Sequence, residues 1–131
     1  MLSPPIFNDL RINAFFTGKG HTDGLKDMAS RLKVRLPDIY LPIQKHTDRV
    51  IIIDHDTEPR VADAVITKRL DIFIGVMTAD CVPIVLFDKK RNVAGAVHAG
   101  WRGTASGILM NTLHMMAASF SSSPTDILMA V

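Results

Sequence analysis

Between Met77 and Gly103 the chain reads MTADCVPIVLFDKKRNVAGAVHAGWRG, and this stretch sets the terms for everything around it. Val82–Phe87 and Val93–His98 are apolar runs of strand length, and the charged stretch Asp88–Asn92 (DKKRN) between them reads as a turn, so the pair is expected to form a hairpin. The only cysteine, Cys81, stands before the first run, and His98 ends the second. A glycine-rich corner with Arg102 and the only tryptophan follows. Reactive side chains that punctuate runs otherwise fit for burial suggest a site built on a rigid sheet.

The remaining elements follow from period and punctuation. Leu10–Phe16 (LRINAFF) reads as a first strand ended by the glycines and polar residues of 17–24. Leu25, Met28, Ala29, Leu32 and Leu36 recur at helical spacing, with Asp23 placed to cap the helix and Pro37 to stop it. Val50–Ile53 is a β-branched run, hence a strand, and Asp54–Arg60 is a solvated loop. Ala62–Thr67 and Ile72–Thr78 are apolar segments divided by a charged turn. Beyond Gly103 the period changes. Ile108, Leu109, Thr112, Leu113, Met116 and Ala117 predict an amphipathic helix over 104–119, its methionines serving as core filler. Ser121–Thr125 is a turn, and Asp126–Val131 opens another strand. Strands outnumber helices without strict alternation, which favours an α+β fold with a mixed or antiparallel sheet. A strand beginning at the last residues leads us to expect a sheet interrupted in this chain, with an open edge through which it could self-associate.

The totals bound the function. At 131 residues, with 47% apolar and 21% charged residues, the chain has the make-up of one soluble globular domain, residues 1–131. A net charge of +2, with no basic cluster interleaved with aromatics, argues against a nucleic-acid partner. The apolar runs fall far short of a membrane span, and the proline-bearing N-terminus does not read as a signal peptide. A single cysteine excludes an internal disulfide and fits a reducing compartment, so a cytoplasmic protein is the expectation.

Three residues at strand ends carry the chemistry. His46 precedes the strand VIII within QKHTDRV, Cys81 follows Thr78-Ala79-Asp80, and His98 ends VAGAVH. Converging on one sheet edge, they would suit a catalytic zinc ion, which takes three protein ligands and leaves a fourth position open. His55, in a charged loop, and His114, on the predicted helix, are poorer ligands. The same residue types allow a thiolate–imidazole pair for acyl transfer. They also allow a copper site with Met77 or Met110 as a weak axial ligand. Asp80 is a candidate general base, or a partner that orients a histidine. Gly100, Gly103 and Arg102 (HAGWRGT) make a tight strand-to-helix corner suited to an anion.

Taken together, QKHTDRV, ADAVIT, MTADCVPIVLFD and VAGAVHAGWRGT closely resemble the YfiH family, also called the laccase-domain or multicopper polyphenol oxidoreductase family. Its members are named purine nucleoside phosphorylases. The match runs from about Leu41 to Val131. The resemblance implies a mixed β-sandwich flanked by helices, of which this chain would hold the N-terminal and central part. It implies a metal, zinc or by family name copper, on His46, Cys81 and His98. It further implies phosphorolysis of adenosine, inosine, guanosine and methylthioadenosine, with deamination of adenosine. Cys81, Asp80 and His98 would serve catalysis, and Arg102, Gly103 and Gln44 would hold substrate and phosphate. Bacterial members are also linked to amidase editing of peptidoglycan precursors. An inactive metal-binding fragment is the reading from another class, and copper polyphenol oxidation ranks last. The family's early arginine, in a glycine-rich segment, is replaced here by Lys19 of FTGKG, and family chains run on past the equivalent of Val131.

Overall fold

The hairpin forms as expected, and a mixed sheet extends from both sides of it. The computed structural model describes residues 1–10, 12–18 and 24–131. Its strands are β1 (Ile39–Tyr40), β2 (Val50–Ile53), β3 (Ala64–Thr67), β4 (Phe73–Ile74), β5 (Val82–Asp88), β6 (Val93–Ala99) and β7 (Ile127–Ala130). The helices are α1 (Gly24–Leu32), α2 (Trp101–Ala105) and α3 (Ile108–Phe120). β5 and β6 pair from Val82 opposite Ala99 to Asp88 opposite Val93. Their turn is held by Asp88, whose Oδ1 accepts hydrogen bonds from the N–H groups of Lys90 (2.9 Å) and Arg91 (3.0 Å). Asn92 takes the left-handed conformation (φ 54°), which asparagine tolerates better than most residues.

The sheet order is β2-β3-β6-β5-β7, with β2 and β3 parallel and every other pair antiparallel. Strand side chains alternate between faces, and both faces are covered. On one, Ala64, Ile66, Ile84, Leu86, Val93 and Val97 pack against Ile108 and Met116 of α3. On the other, Ile53, Val65 and Ala96 pack with Tyr40, Ile72 and Ile74, the last from the small parallel β1–β4 pair. The fold is therefore α+β, a mixed sheet between a helix and a two-stranded ribbon. Met116 is fully buried while Met110 stays half exposed, so the methionine stretch does supply core. Among the described residues, no helix is long and apolar enough to cross a membrane.

Several boundaries differ from the sequence reading. Leu10–Phe16 is not a strand among its described residues; only Phe16 pairs, through an isolated bridge to Leu2. Pro4 and Pro5 follow Leu2 and cannot donate, which prevents that bridge from growing into a ladder. α1 ends at Leu32 rather than at Pro37, because Lys33 turns left-handed (φ 55°). Asp23, the expected cap, and Lys19 lie outside the described residues. The single helix expected over 104–119 is two helices. Gly107 takes a left-handed conformation (φ 81°) that breaks the ladder and divides α2, which begins at the corner itself, from α3, which packs on the sheet.

Candidate metal centre

The hairpin register delivers the first two donors. With Pro83 opposite His98 and Val82 opposite Ala99, Cys81 stands beside Gly100 just past the last pair. Alternation puts His98 on the face away from α3, the face of Ala96, and Cys81 on that same face. The third donor comes from the turn before β2, where His46 has a positive φ of 58°. His46, Cys81 and His98 bring their ligand atoms within 4.8 Å of one another. The two imidazoles meet edge to face, their centroids 4.9 Å apart at 70°. His98 is buried, Cys81 half-buried and His46 exposed, so the group opens to solvent on one side.

Asp63 ties these pieces together, and it is fully buried. Its Oδ1 meets His98 Nδ1 at 2.8 Å and accepts from the His46 N–H at 3.0 Å. Its Oδ2 accepts from the Thr47 N–H and hydroxyl, both at 2.7 Å, and from the Lys45 N–H at 3.2 Å. The backbone joins in, since the His98 N–H donates to the Asp63 carbonyl at 2.7 Å. Burial works against the charge of Asp63, but hydrogen bonds from His98 and then from Thr47 and Lys45 outweigh it and bring its carboxyl down to about 2.

Gly100 allows the donors to approach closely. A Cβ there would lie 3.2 Å from both Cys81 Sγ and His46 Cδ2 and 3.9 Å from His98 Cε1. The space it would fill is the space between the three donors. Gly103 has a comparable role one turn on, where a Cβ would lie 3.0 Å from the Thr47 carbonyl oxygen.

The other site residues of the sequence reading are placed as follows. Asp80 is exposed, with Oδ1 3.8 Å from Cys81 Sγ. It does not orient His98, since Asp63 occupies that nitrogen. Gln44 is committed to the backbone: its amide donates to the Met77 carbonyl and accepts from the Met77 N–H, both at 2.7 Å. It thereby straps the His46 turn to the segment leading to Cys81. Arg102 is exposed on α2 with its guanidinium carbon 5.2 Å from the centre of the Trp101 ring, which is itself 75% exposed. Among the described residues no carboxylate pairs with Arg102. Asp63 is the residue sequence reasoning missed, and Gly100, expected at an anion corner, lies against the donor set instead. The signal for Asp63 was an acid set inside the apolar run VADAVIT, a position where a charge persists only if fully bonded.

The electrostatics favour a cation. Partial burial, then the charges of Asp80 and Asp63, push the Cys81 thiol above its ordinary value. A thiolate here needs a positive neighbour. A set of one sulfur and two imidazoles, with an open glycine-lined centre and one histidine held by a carboxylate, has the composition and outer support of a metal site.

Residues 22–131 match the family model described as multi-copper polyphenol oxidoreductase laccase. A purine nucleoside phosphorylase of Aquifex aeolicus is 59% identical over 76 residues, which cover 57% of this chain and 36% of the relative. Adenosine deaminase RL5, from an unknown prokaryotic organism, is 42% identical over 96 residues, covering 66% of this chain and 38% of RL5. Among solved structures, hypothetical protein YfiH of Bacillus licheniformis superimposes with a TM-score of 0.75 at 33% identity, over 80% of this chain and 43% of that one. The chain thus spans less than half the length of each of these relatives.

Proposed function

This chain belongs to the multi-copper polyphenol oxidoreductase laccase family, and on that premise we propose that it serves zinc-dependent purine nucleoside chemistry, phosphorolysis first and adenosine deamination second. The observation that carries the proposal is the convergence of His46, Cys81 and His98 within 4.8 Å. Relatives named for these two reactions support it. Zinc suits one thiolate and two imidazoles, and phosphorolysis asks for no redox change at the metal. When bound, zinc supplies Lewis acidity at the position its three protein ligands leave open.

The chain's own residues do the rest. Arg102, free of acidic partners among the described residues, would hold phosphate through its fork of N–H donors. A phosphate oxygen forms a bond to the ribose C1′ as the C1′–N9 bond breaks, and the base departs with that electron pair and takes up a proton. Asp80, exposed beside Cys81, would relay that proton. Gln44 acts here through position, as the strap between the His46 turn and Met77.

One observation favours a second reading. Asp63, His98 and Cys81 follow the order orienter, base and nucleophile of a thiol hydrolase, which would suit an amidase. The raised Cys81 thiol counts against it, because that chemistry needs a thiolate without a metal. Hypoxanthine release from inosine decides between them, measured with and without phosphate on zinc-loaded protein. Phosphate-dependent release that disappears in Cys81→Ala together with bound zinc supports phosphorolysis. Release that survives Cys81→Ala, or no release despite one bound zinc, overturns the proposal for this chain. Amide hydrolysis that persists after chelation would establish the thiol reading.

A further inference from the structure

The two histidines of the donor set are separated by 52 positions, from 46 to 98, yet both hang from a single carboxylate oxygen. Oδ1 of Asp63 lies 2.8 Å from His98 Nδ1 and 3.0 Å from the His46 backbone nitrogen. Oδ2 takes the N–H groups on either side, Lys45 and Thr47, together with the Thr47 hydroxyl. Three successive backbone donors therefore point into one side chain, an arrangement that favours a negative group at its centre. His46 carries the cost of that arrangement as a left-handed φ of 58°, unusual for a residue with a side chain. Gly103 closes the turn from outside, with its α carbon so near the Thr47 carbonyl that a Cβ would sit at 3.0 Å.

We propose that Asp63 is the positioning residue of the donor set: it joins the His46 turn to His98 and selects the nitrogen that His98 offers, so that the site stands ready in the metal-free protein. A carboxylate can only accept, so Nδ1 of His98 carries the hydrogen. The neutral ring then has its lone pair on Nε2, the nitrogen left for the site. The same oxygen fixes the backbone of the other histidine. Loss of the carboxylate would release both ligands at once and leave Cys81 as the only donor in place. The proposal rests on the metal reading for its affinity readout alone; its structural half concerns the metal-free chain.

The first test needs no variant. Nitrogen-15 NMR of the imidazoles in metal-free protein, recorded at a pH where the rings are neutral, should show His98 as a single Nδ1–H tautomer. The second uses Asp63→Asn, which keeps shape. Its amide oxygen is expected to stay with the Lys45 and Thr47 donors, which turns the NH₂ group toward His98 and takes the acceptor away from the His46 N–H. The ring then has to present Nδ1 as acceptor and carry its hydrogen on Nε2, facing the site, as happens when a histidine's supporting carboxylate becomes an amide. Zinc affinity, from competition with a chromophoric chelator, should fall by about 10–100-fold. A purely structural role would weaken folding without inverting the tautomer. An Nε2–H or rapidly averaging His98 in the wild-type protein overturns the proposal even if Asp63→Asn fails to fold. So does a folded Asp63→Asn with unchanged tautomer and affinity. A wild-type chain that shows the Nδ1–H tautomer but binds no zinc would support the Asp63 tie while defeating the metal reading.

Discussion

Replacing Gly100 with alanine separates the donor set from the fold that carries it. The backbone at Gly100 (φ −75°, ψ 169°) is open to any residue, so Gly100→Ala introduces no torsional strain. Losing glycine's freedom in the unfolded chain stabilises by about 0.4–1 kcal/mol. Alanine is a poorer N-cap than glycine, and at the start of α2 that costs a similar amount, roughly 0.5–1 kcal/mol. The two nearly cancel, and metal-free stability should stay within about 1 kcal/mol of wild type. The donor set has no such compensation. The new Cβ would lie 3.2 Å from Cys81 Sγ and from His46 Cδ2, where ordinary contacts are about 3.5–4.0 Å. Each group must retreat by several tenths of an ångström, beyond the roughly 0.2 Å within which metal–ligand distances are held. Zinc affinity should therefore drop at least about tenfold, ~1.4 kcal/mol. Chelator competition reads the first quantity and urea unfolding of metal-free protein the second. Affinity within about twofold of wild type would refute the placement of the metal between these three residues. A loss of stability above about 2 kcal/mol would show that the clash is borne by the fold and not by the site.

Other perturbations probe separate parts of the molecule. Arg102→Ala removes an exposed side chain and should leave stability within about 0.5 kcal/mol and zinc content unchanged, while the KM for phosphate rises; an unchanged KM would place phosphate elsewhere. Met116→Ala empties a fully buried position between α3 and the sheet and should cost about 2–5 kcal/mol, seen as a lower urea midpoint at constant slope. Burial works against Asp88, but the Arg91 and Lys90 N–H groups that donate to its Oδ1, with the charge of Arg91, hold its carboxyl below the ordinary range. The unfolded chain therefore takes up the proton first. Its contribution is complete above the ordinary carboxylate value and is lost as the pH falls through the lower folded value. Urea midpoints of wild type and Asp88→Asn should accordingly converge between about pH 6 and pH 3; a gap that stays constant would show that the charge of Asp88 contributes nothing.

The hairpin was legible because its evidence is local. Two apolar runs flank a charged turn, and the alternation that pairs them also puts Cys81 and His98 on one face. β2 and α3 were legible for the same reason, since β-branched runs and a 3.6-residue period are properties of neighbours along the chain. Local reading failed where one residue's backbone angle decided the outcome. Lys33 ends α1 early, and Gly107 divides one periodic stretch into two helices. It failed also at Leu10–Phe16, where strand-like composition met no partner able to continue the ladder.

Sequence alone determined which side chains could do chemistry: one cysteine, and histidines standing at the ends of runs that would otherwise be core. Tertiary structure decided which of them meet. His46 reaches Cys81 only because β2 lies parallel to β3 and β3 pairs with β6, which brings Asp63 between two histidines distant in sequence. It also made Gln44 a strap on Met77, and set Gly100, expected at an anion corner, against the donor set. Composition and spacing are carried along the chain, but a shared hydrogen-bond acceptor and the clearance for a missing Cβ exist only between segments that folding has brought together.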